Sequence, residues 1–408
     1  MSAAATAPAA ACARLSLSQL QHAALWLFVA SGWLVIVEPS PYELLFVVAL
    51  LAFLPNALSV HPSLLPPIAF LVLYNIGGLL SLAQVTGDSR AVMFTVISAF
   101  MGATAVFYAL LSVGDPVARF SIIRNAYIWA ACAASLSGLI GYFDIAGLRD
   151  YWAPMYRAQG TFKDPNVFST FLIPPLCFLL QGFMLGTQRR KFWSAVALSL
   201  IGAGLFFAFS RGAWVNAIVT IVLLAVISFI THPAPQIRTR IILLVAAFAI
   251  AAIALIAFAL SFESVRTMFL ERANLINYYD AGETGRFGDQ LNSLPLLLEQ
   301  PNGMGPMQFR KIFGNDPHNV FINAFAANGW LGGISFLLLV MTTIAMGWQT
   351  ILARTPLRHQ AIAVFCPLLA TLLQGVQIDI EHWRHLLLMM GLTWGLHAAA
   401  TLHAHDRP

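Results

Sequence analysis

Charged residues are scarce in this chain of 408 residues: Asp, Glu, Lys and Arg together make up 10% of it. A soluble globular domain carries roughly 25% of such residues, so the composition excludes an ordinary soluble domain. Hydrophobic residues account for 59% of the sequence, and the mean hydropathy is +0.78. We therefore expect a polytopic integral membrane protein.

Cysteine is also scarce, and no two cysteines show C-x-x-C spacing. Three of the four (Cys132, Cys177 and Cys366) fall inside apolar segments, and the fourth is Cys12. This spacing lacks the pattern of a zinc site or a redox dithiol. We expect packing residues, with no metal, no disulfide and no cofactor. The first eighteen residues also lack the basic segment of a secretory signal, so a short cytoplasmic lead is expected.

Apolar runs of about 20 residues, the length that crosses a hydrocarbon core, are abundant. They predict an all-α fold of about twelve transmembrane helices in a single domain over residues 1–408. The predicted spans are 20–37, 42–60, 64–82, 91–113, 122–147, 167–187, 192–209, 211–231, 239–262, 318–348, 360–378 and 383–402.

The basic residues of the short connections predict the orientation, because Lys and Arg in short loops are retained in the cytoplasm. They occupy every second connection from the fourth span onward: Arg119 and Arg124, then Arg189, Arg190 and Lys191, then Arg238 and Arg240, then Arg354 and Arg358. Both termini are therefore predicted to be cytoplasmic. This leaves two outer loops of useful length, 148–166 and 263–317.

The longer outer loop carries two predicted helices. Phe262, Val265, Phe269, Ala273 and Ile276 recur at helical spacing, which predicts an amphipathic helix that lies flat on the outer membrane surface. A second helical piece, interrupted by Pro295, is expected from Arg286 to Glu299, followed by a turn from Asn302 to Pro306.

Arg211 lies between two apolar spans, with Ser210 before it and Gly212 after it. The connection is too short for a solvated loop, so the guanidinium must lie at the mouth of a tight helical hairpin. One interpretation is structural: the side chain reaches a headgroup phosphate or caps the preceding helix. The functional interpretation is a fixed hydrogen-bond donor to a substrate phosphate, for which the planar fork of Arg is well suited.

Two further arginines occupy the outer loops. Arg286 follows Gly285, and small residues let backbone amides approach an anion closely; the alternative is a surface Arg paired with Glu283 or Asp289. Arg157 lies near Lys163, and a solvated loop face is the alternative there. The sequence alone does not decide whether these basic residues converge on one anion.

His318 is the best candidate for an acid or base. It follows Pro317 and precedes Asn319 at the start of a long apolar span. The positive end of a helix dipole keeps a nearby imidazole neutral, as a general base requires. A capping or structural histidine is the alternative. Asp316 is expected to orient the ring.

The segment 379–385 crowds five titratable groups at the outer end of the last hairpin. Asp379 and Glu381 have the spacing of a carboxylate pair that could hold a divalent cation. The alternatives are a salt-bridged lid, or an acceptor subsite in which Trp383 stacks on a sugar ring.

Four segments occur together and in order: R-x-x-G-T-F-x-x-P-N at 157–166, S-R-G at 210–212, an Arg with a later G-x-G-P turn at 286 and 303–306, and P-H-N with a later G-x-x-G over 317–332. Together they resemble the bacterial O-antigen ligases and the related O-antigen and exopolysaccharide polymerases. The resemblance covers residues 150–350, and segment 379–385 is not part of it.

The resemblance implies a metal-independent, inverting glycosyltransferase of the GT-C type in the bacterial inner membrane, with its site on the periplasmic side and 263–317 as a large periplasmic loop. The donor would be an undecaprenyl-pyrophosphate-linked glycan. Catalytic roles are implied for Arg211, Arg286 and His318. The candidate substrate-binding residues are Arg157, Lys163, Asn319, Asp379, His382 and Arg384.

The acceptor stays open at this point. A ligase would transfer the glycan to lipid A core or another terminal acceptor, whereas a polymerase would transfer it to a second carrier-linked glycan. A polysaccharide flippase or secondary transporter also suits twelve spans. Transporters place polar groups near the bilayer midplane, whereas the unusual charges here gather at one face, which favours an enzyme.

Overall fold

The computed structural model describes residues 16–37, 39–55, 60–85, 87–273 and 285–405. Within these ranges the chain is all-helical and has no strand. The first nine helices are α1 (Leu17–Ala30), α2 (Pro41–Phe53), α3 (Leu65–Leu82), α4 (Ser89–Gly114), α5 (Pro116–Tyr142), α6 (Arg149–Trp152), α7 (Pro165–Phe171), α8 (Ile173–Leu185) and α9 (Lys191–Phe207). The others are α10 (Arg211–Thr231), α11 (Pro235–Ala259), α12 (Glu263–Ala273), α13 (Arg286–Glu299), α14 (Phe309–Phe313), α15 (Val320–Leu352), α16 (Arg358–Gln374) and α17 (Arg384–His405).

Seven helical segments in the described ranges are long and apolar enough to cross a membrane: Pro62–Leu82, Ser89–Gly114, Pro165–Leu185, Arg211–Thr231, Pro235–Ala259, Val320–Leu352 and Arg384–His403. The chain is therefore a multi-pass membrane protein. The other five predicted spans coincide with α1, α2, α5, α9 and α16. Because α1 and α2 have only 14 and 13 residues, fewer than the roughly 20 of a full crossing, twelve spans stay a prediction.

The helices pack as neighbouring pairs around a continuous apolar core. The closest pairs are α3 with α15, α4 with α17, α10 with α16, and α5 with α9. Helix α11 is the exception, since only 6% of its apolar segment is buried. Its surface is apolar nearly all round, which suits contact with lipid tails.

The two ends of the bundle differ in chemistry. At one end the basic connections meet: Gln181 donates to the carbonyl of His359 at 2.7 Å, and the rings of His232 and His359 lie 5.8 Å apart. At the other end α7, α10 and α15 begin and α16 ends. Three of the four motif segments meet there, as described below.

The segment 263–317 contains α12, α13 and α14. Both predicted helices are confirmed, and α13 has the predicted bounds. The predicted interruption at Pro295 is wrong, because α13 continues through this residue. Ile276 and the side chain of Ala273 lie outside the described residues. The expectation that α12 lies flat on lipid is wrong for Val265 and Phe269, because these side chains pack on Phe206, Phe209 and Trp214 of the α9–α10 hairpin.

Candidate functional site

Arg157 and Asn166, the two ends of the first motif, are joined to the S-R-G junction. The Asn166 Oδ1 atom accepts from Arg157 Nη2 at 3.1 Å and from the Ser210 hydroxyl at 2.8 Å. Arg157 Nε donates to the carbonyl of Ala208 at 2.8 Å. Arg157 is only 6% exposed, so the interpretation of a solvated loop face is wrong for this residue.

Burial lowers the pKa of Arg157 to about 10, and the positive charges of Arg272 and Arg211 lower it further, against the opposite effect of Asp164. Even at that value the guanidinium is charged at neutral pH. The first motif therefore brings a fixed positive charge to the start of α10. Lys163 lies in the same segment, one residue before Asp164, which caps α7.

Ser210 and Arg211 form the start of α10. Phe209 has a left-handed backbone (φ 47°), which turns the chain sharply between α9 and α10. Ser210 is the N-cap of α10, and its hydroxyl accepts from the Ala213 amide at 3.4 Å. Arg211 is thus the first residue of a long helix, where unpaired backbone amides and the helix dipole favour an anion.

A buried polar network connects this junction to the end of α16. Gln374 Oε1 accepts from Asn216 Nδ2 at 2.7 Å, and Gln374 Nε2 donates to the Thr170 hydroxyl at 3.4 Å. Thr170 also donates to the carbonyl of Asn166 at 2.9 Å. Helices α7, α10 and α16 are therefore fixed to one another directly beneath Arg157 and Arg211.

The end of α16 in turn holds the P-H-N segment. The amide of Val320 donates to the carbonyl of Gly375 at 2.8 Å. The Asp379 carboxylate accepts from the backbone amides of His318 at 3.2 Å and of Asn319 at 3.1 Å. Asn319 is the N-cap of α15, a structural role; its predicted role in substrate binding stays a prediction.

His318 has a left-handed backbone (φ 47°). This conformation is uncommon for a residue with a side chain, and such strain gathers at functional sites. Asp379 holds its amide, and Gln290 Nε2 donates to the preceding carbonyl, that of Pro317, at 2.9 Å. Asp316, which we expected to orient the ring, lies 3.6 Å from Arg310 in an ion pair.

Helix α13 docks on the His318 segment with its first turn. Besides the Gln290 contact, the Asp289 carboxylate accepts from Asn315 Nδ2 at 2.8 Å. Arg286 is the first residue of this helix, and its side chain lies outside the described residues, as does Glu283. The backbone of Arg286 is thus one turn away from residues that contact 315–318.

The G-x-G-P turn docks on the kink of α15. Gly329 has φ 64° and interrupts the helix. The amide of Trp330 donates to the carbonyl of Pro301, and the amide of Met304 donates to the carbonyl of Ala326, both at 2.8 Å. A Cβ atom at Gly329 would lie 2.6 Å from the Pro301 carbonyl oxygen, so glycine is needed there.

Residues 195–337 match the family model described as O-antigen ligase. The predicted resemblance is confirmed. The matched segment contains the S-R-G junction, Arg286, the G-x-G-P turn and the P-H-N segment. Arg157, Asn166 and Asp379 lie outside it and are joined by hydrogen bonds to residues of the matched segment. A search of the curated proteins finds no match to the chain.

Segment 379–385 packs beside the matched segment 195–337. Arg384 donates to Glu43 Oε1 at 2.6 Å and lies over the Tyr42 ring, which anchors the start of α17 to α2. The His382 ring lies 4.3 Å from Phe94. Trp383 is buried beside His385, so the sugar-stacking interpretation of this ring is wrong. Substrate binding by His382 and Arg384 stays a prediction.

Glu381 is a half-buried residue next to the matched segment. Its Oε1 atom accepts from Asn323 Nδ2 at 2.6 Å, and its Oε2 atom is buried with no hydrogen-bond partner among the described residues. It lines a cavity of about 20 Å³ with Tyr74 and Ser98. Burial, and next the charge of Asp379, raise the pKa of Glu381 well above its usual range. In the described ranges no three His, Cys, Asp or Glu side chains are grouped as metal ligands.

Three residues that support or extend the candidate site were not singled out from the sequence: Gln290, Gln374 and Arg272. The sequence does mark Gln374, because a side-chain amide inside an apolar span needs a hydrogen-bond partner. Gln290 and Arg272 gave no such signal, because surface helices carry many Gln and Arg side chains. Their partners are far away in sequence and become visible only in the fold.

Proposed function

We propose that this protein is a glycosyltransferase of the O-antigen ligase type. It moves a glycan from undecaprenyl pyrophosphate to an acceptor hydroxyl of lipid A core or another terminal acceptor, on the periplasmic side of the bacterial inner membrane. The observation that carries this proposal is a series of hydrogen bonds that links Arg157 through Asn166 and Thr170 to Gln374. The next residue, Gly375, accepts from the Val320 amide and so connects this series to the His318 segment.

Arg157, Arg211 and Arg286 are the proposed donor residues, and Lys163 adds positive charge nearby. Breaking the anomeric bond leaves charge on a pyrophosphate, and fixed guanidinium donors stabilise charge that develops in the transition state. Arg157 suits this role because protein contacts already fix its Nε and Nη2 atoms. Arg211 suits it because α10 begins there.

His318 is the proposed general base. It would take the proton of the acceptor hydroxyl as the oxygen attacks the anomeric carbon, a contribution of roughly 100-fold to 10,000-fold to the rate. A single in-line displacement inverts the anomeric centre. Asp379 and Gln290 form hydrogen bonds with the backbone on both sides of this residue, which fixes the position of the Cα atom from which the side chain extends. This scheme requires no metal ion.

A transfer assay with several acceptors tests the proposal. Purified protein in detergent receives undecaprenyl pyrophosphate glycan as the donor, with and without lipid A core and with and without EDTA. We expect transfer to lipid A core that EDTA leaves unchanged. Growth of the carrier-linked chain itself would instead identify a polymerase, which uses the same donor chemistry. Loss of activity with EDTA would contradict metal independence, and inactivity with every acceptor would favour the transporter.

A further inference from the structure

Helix α12 packs on the α9–α10 hairpin through one face. Val265 is buried in an apolar cluster with Phe209 and Ala259. The Phe269 ring stacks on Trp214, with the ring centroids 5.4 Å apart. Since Trp214 follows Arg211 by three residues on α10, this face of α12 points to the start of α10, where the proposed donor site lies.

Arg272 lies on that same face. It follows Phe269 by three residues and Val265 by seven, and helix periodicity places such positions above one another. Its Nε atom is buried and makes no hydrogen bond in the described ranges. A buried donor without an acceptor is costly, so a ligand oxygen that accepts from this Nε atom would remove that cost.

Arg272 is also electrostatically close to Arg157. After burial, its charge is the largest influence that lowers the pKa of Arg157. Neither arginine forms an ion pair with a carboxylate among the described residues. The Arg157 Nη1 atom likewise has no hydrogen-bond partner there, since protein acceptors take only Nε and Nη2. The positive charges of Arg157, Arg211 and Arg272 therefore lie close enough to influence one another near the start of α10.

We propose that Arg272 is a further guanidinium of the donor site and binds the pyrophosphate group together with Arg157, Arg211 and Arg286. A pyrophosphate carries several acceptor oxygens and more than one negative charge, which suits several forked donors. This inference rests on the proposed function and adds a residue from α12 to it. A purely structural role is the alternative, because a basic residue in the last turn of a helix also stabilises that helix.

Binding of inorganic pyrophosphate to the purified full-length protein in detergent, measured by calorimetry, separates the two roles. Arg272→Ala should weaken binding roughly 10-fold to 100-fold, the value of a charge-assisted contact. Arg272→Lys should lie between this variant and the wild type. The matched control is Arg266→Ala on the same helix: Arg266 is exposed, pairs with Glu263 at 2.6 Å, and its removal should change affinity less than about twofold.

The variant Arg211→Ala makes a failure of this inference distinguishable from a failure of the proposed function. If Arg211→Ala weakens binding and Arg272→Ala does not, the role of Arg272 is overturned and the donor site stands. If neither substitution weakens binding, both proposals are overturned. Should Arg272→Ala fail to fold, Arg272→Gln keeps the length and polarity of the side chain, and pyrophosphate affinity equal to the wild type in that variant overturns the inference.

Discussion

His318 is the residue on which the proposed chemistry depends, and its backbone is held from two sides. Asp379 accepts from its amide and from that of Asn319, and Gln290 donates to the carbonyl of Pro317. Asp379 uses a different oxygen for each amide, an arrangement that suits a carboxylate. We interpret Asp379 as a positioning residue for His318.

The variant Asp379→Asn tests this interpretation. An amide offers one acceptor oxygen where the carboxylate offers two, and its NH2 group would face a backbone donor. The loss of one charge-assisted hydrogen bond should lower the transfer rate about 10-fold or more, with the donor KM less affected. The control is Asp316→Asn, because Asp316 forms an ion pair with exposed Arg310 at 3.6 Å. Equal rates for the two variants would contradict the positioning role.

The ionisation of Glu381 is expected to make the stability of the folded protein depend on pH. Its pKa is raised in the folded protein by burial and then by Asp379, so the folded state holds its proton more tightly than the unfolded state. The stabilisation is complete below the unfolded carboxyl pKa and is lost as the pH rises through the folded pKa. Thermal unfolding in detergent should therefore shift to lower temperature between about pH 5 and about pH 8.

The variant Glu381→Gln should flatten that dependence and raise the midpoint at the upper pH by a few degrees, because a neutral amide needs no ionisation. Glu299→Gln is the control, since Glu299 is exposed at the end of α13. The same slope in the Glu381→Gln variant and in the wild type would contradict the raised pKa.

Among the elements, α15 is interrupted where the G-x-G-P turn docks. Gly329 combines a left-handed backbone (φ 64°) with a close approach to the Pro301 carbonyl. Gly329→Ala should therefore strain the backbone and separate the turn from the helix, at a cost of about 1–3 kcal/mol. The measurement is the midpoint of thermal unfolding in detergent, together with the transfer rate.

Gly202→Ala is the matched control. Gly202 lies inside α9 with ordinary helical geometry, and a Cβ atom there meets nothing within 4 Å. Ala is favoured over Gly in a helix, so this variant should be neutral or slightly stabilising. If both variants were equally stable, the docking of the turn at Gly329 would make no contribution to the stability of the fold.

Sequence patterns predicted the helices better than the contacts between them. Apolar periodicity predicted α12, and the segment Arg286–Glu299 coincides with α13. The interruption of α15 at Gly329 was not predicted, because its cause is a turn some thirty residues earlier in the chain. The contacts of Asp379 with His318 and of Gln374 with Asn216 were not predictable either. Such pairs are distant in sequence, and only the packing of the helices brings them together.

At the scale of the whole molecule, the chain separates a basic end from a motif-bearing end. The positive-inside rule assigns the basic end to the cytoplasm, so the motif-bearing end is expected to face the periplasm. Cysteine labelling of intact cells tests this orientation. With the native cysteines replaced by serine, a membrane-impermeant thiol reagent should label Glu299→Cys before lysis and Arg189→Cys only after it. Both positions are exposed, and the reverse pattern would contradict the orientation.

The most direct test of the donor and base assignments is the rate of glycan transfer by the wild type, Arg211→Lys and His318→Gln. Lysine keeps the charge of Arg211 but not its fork, so transfer should fall roughly 10-fold to 100-fold. His318→Gln should lower transfer about 100-fold or more, with the donor KM nearly unchanged. Arg238→Lys, at the basic end where Arg238 donates to the His232 carbonyl at 2.8 Å, should transfer like the wild type. Wild-type transfer by Arg211→Lys or by His318→Gln would contradict the proposed site.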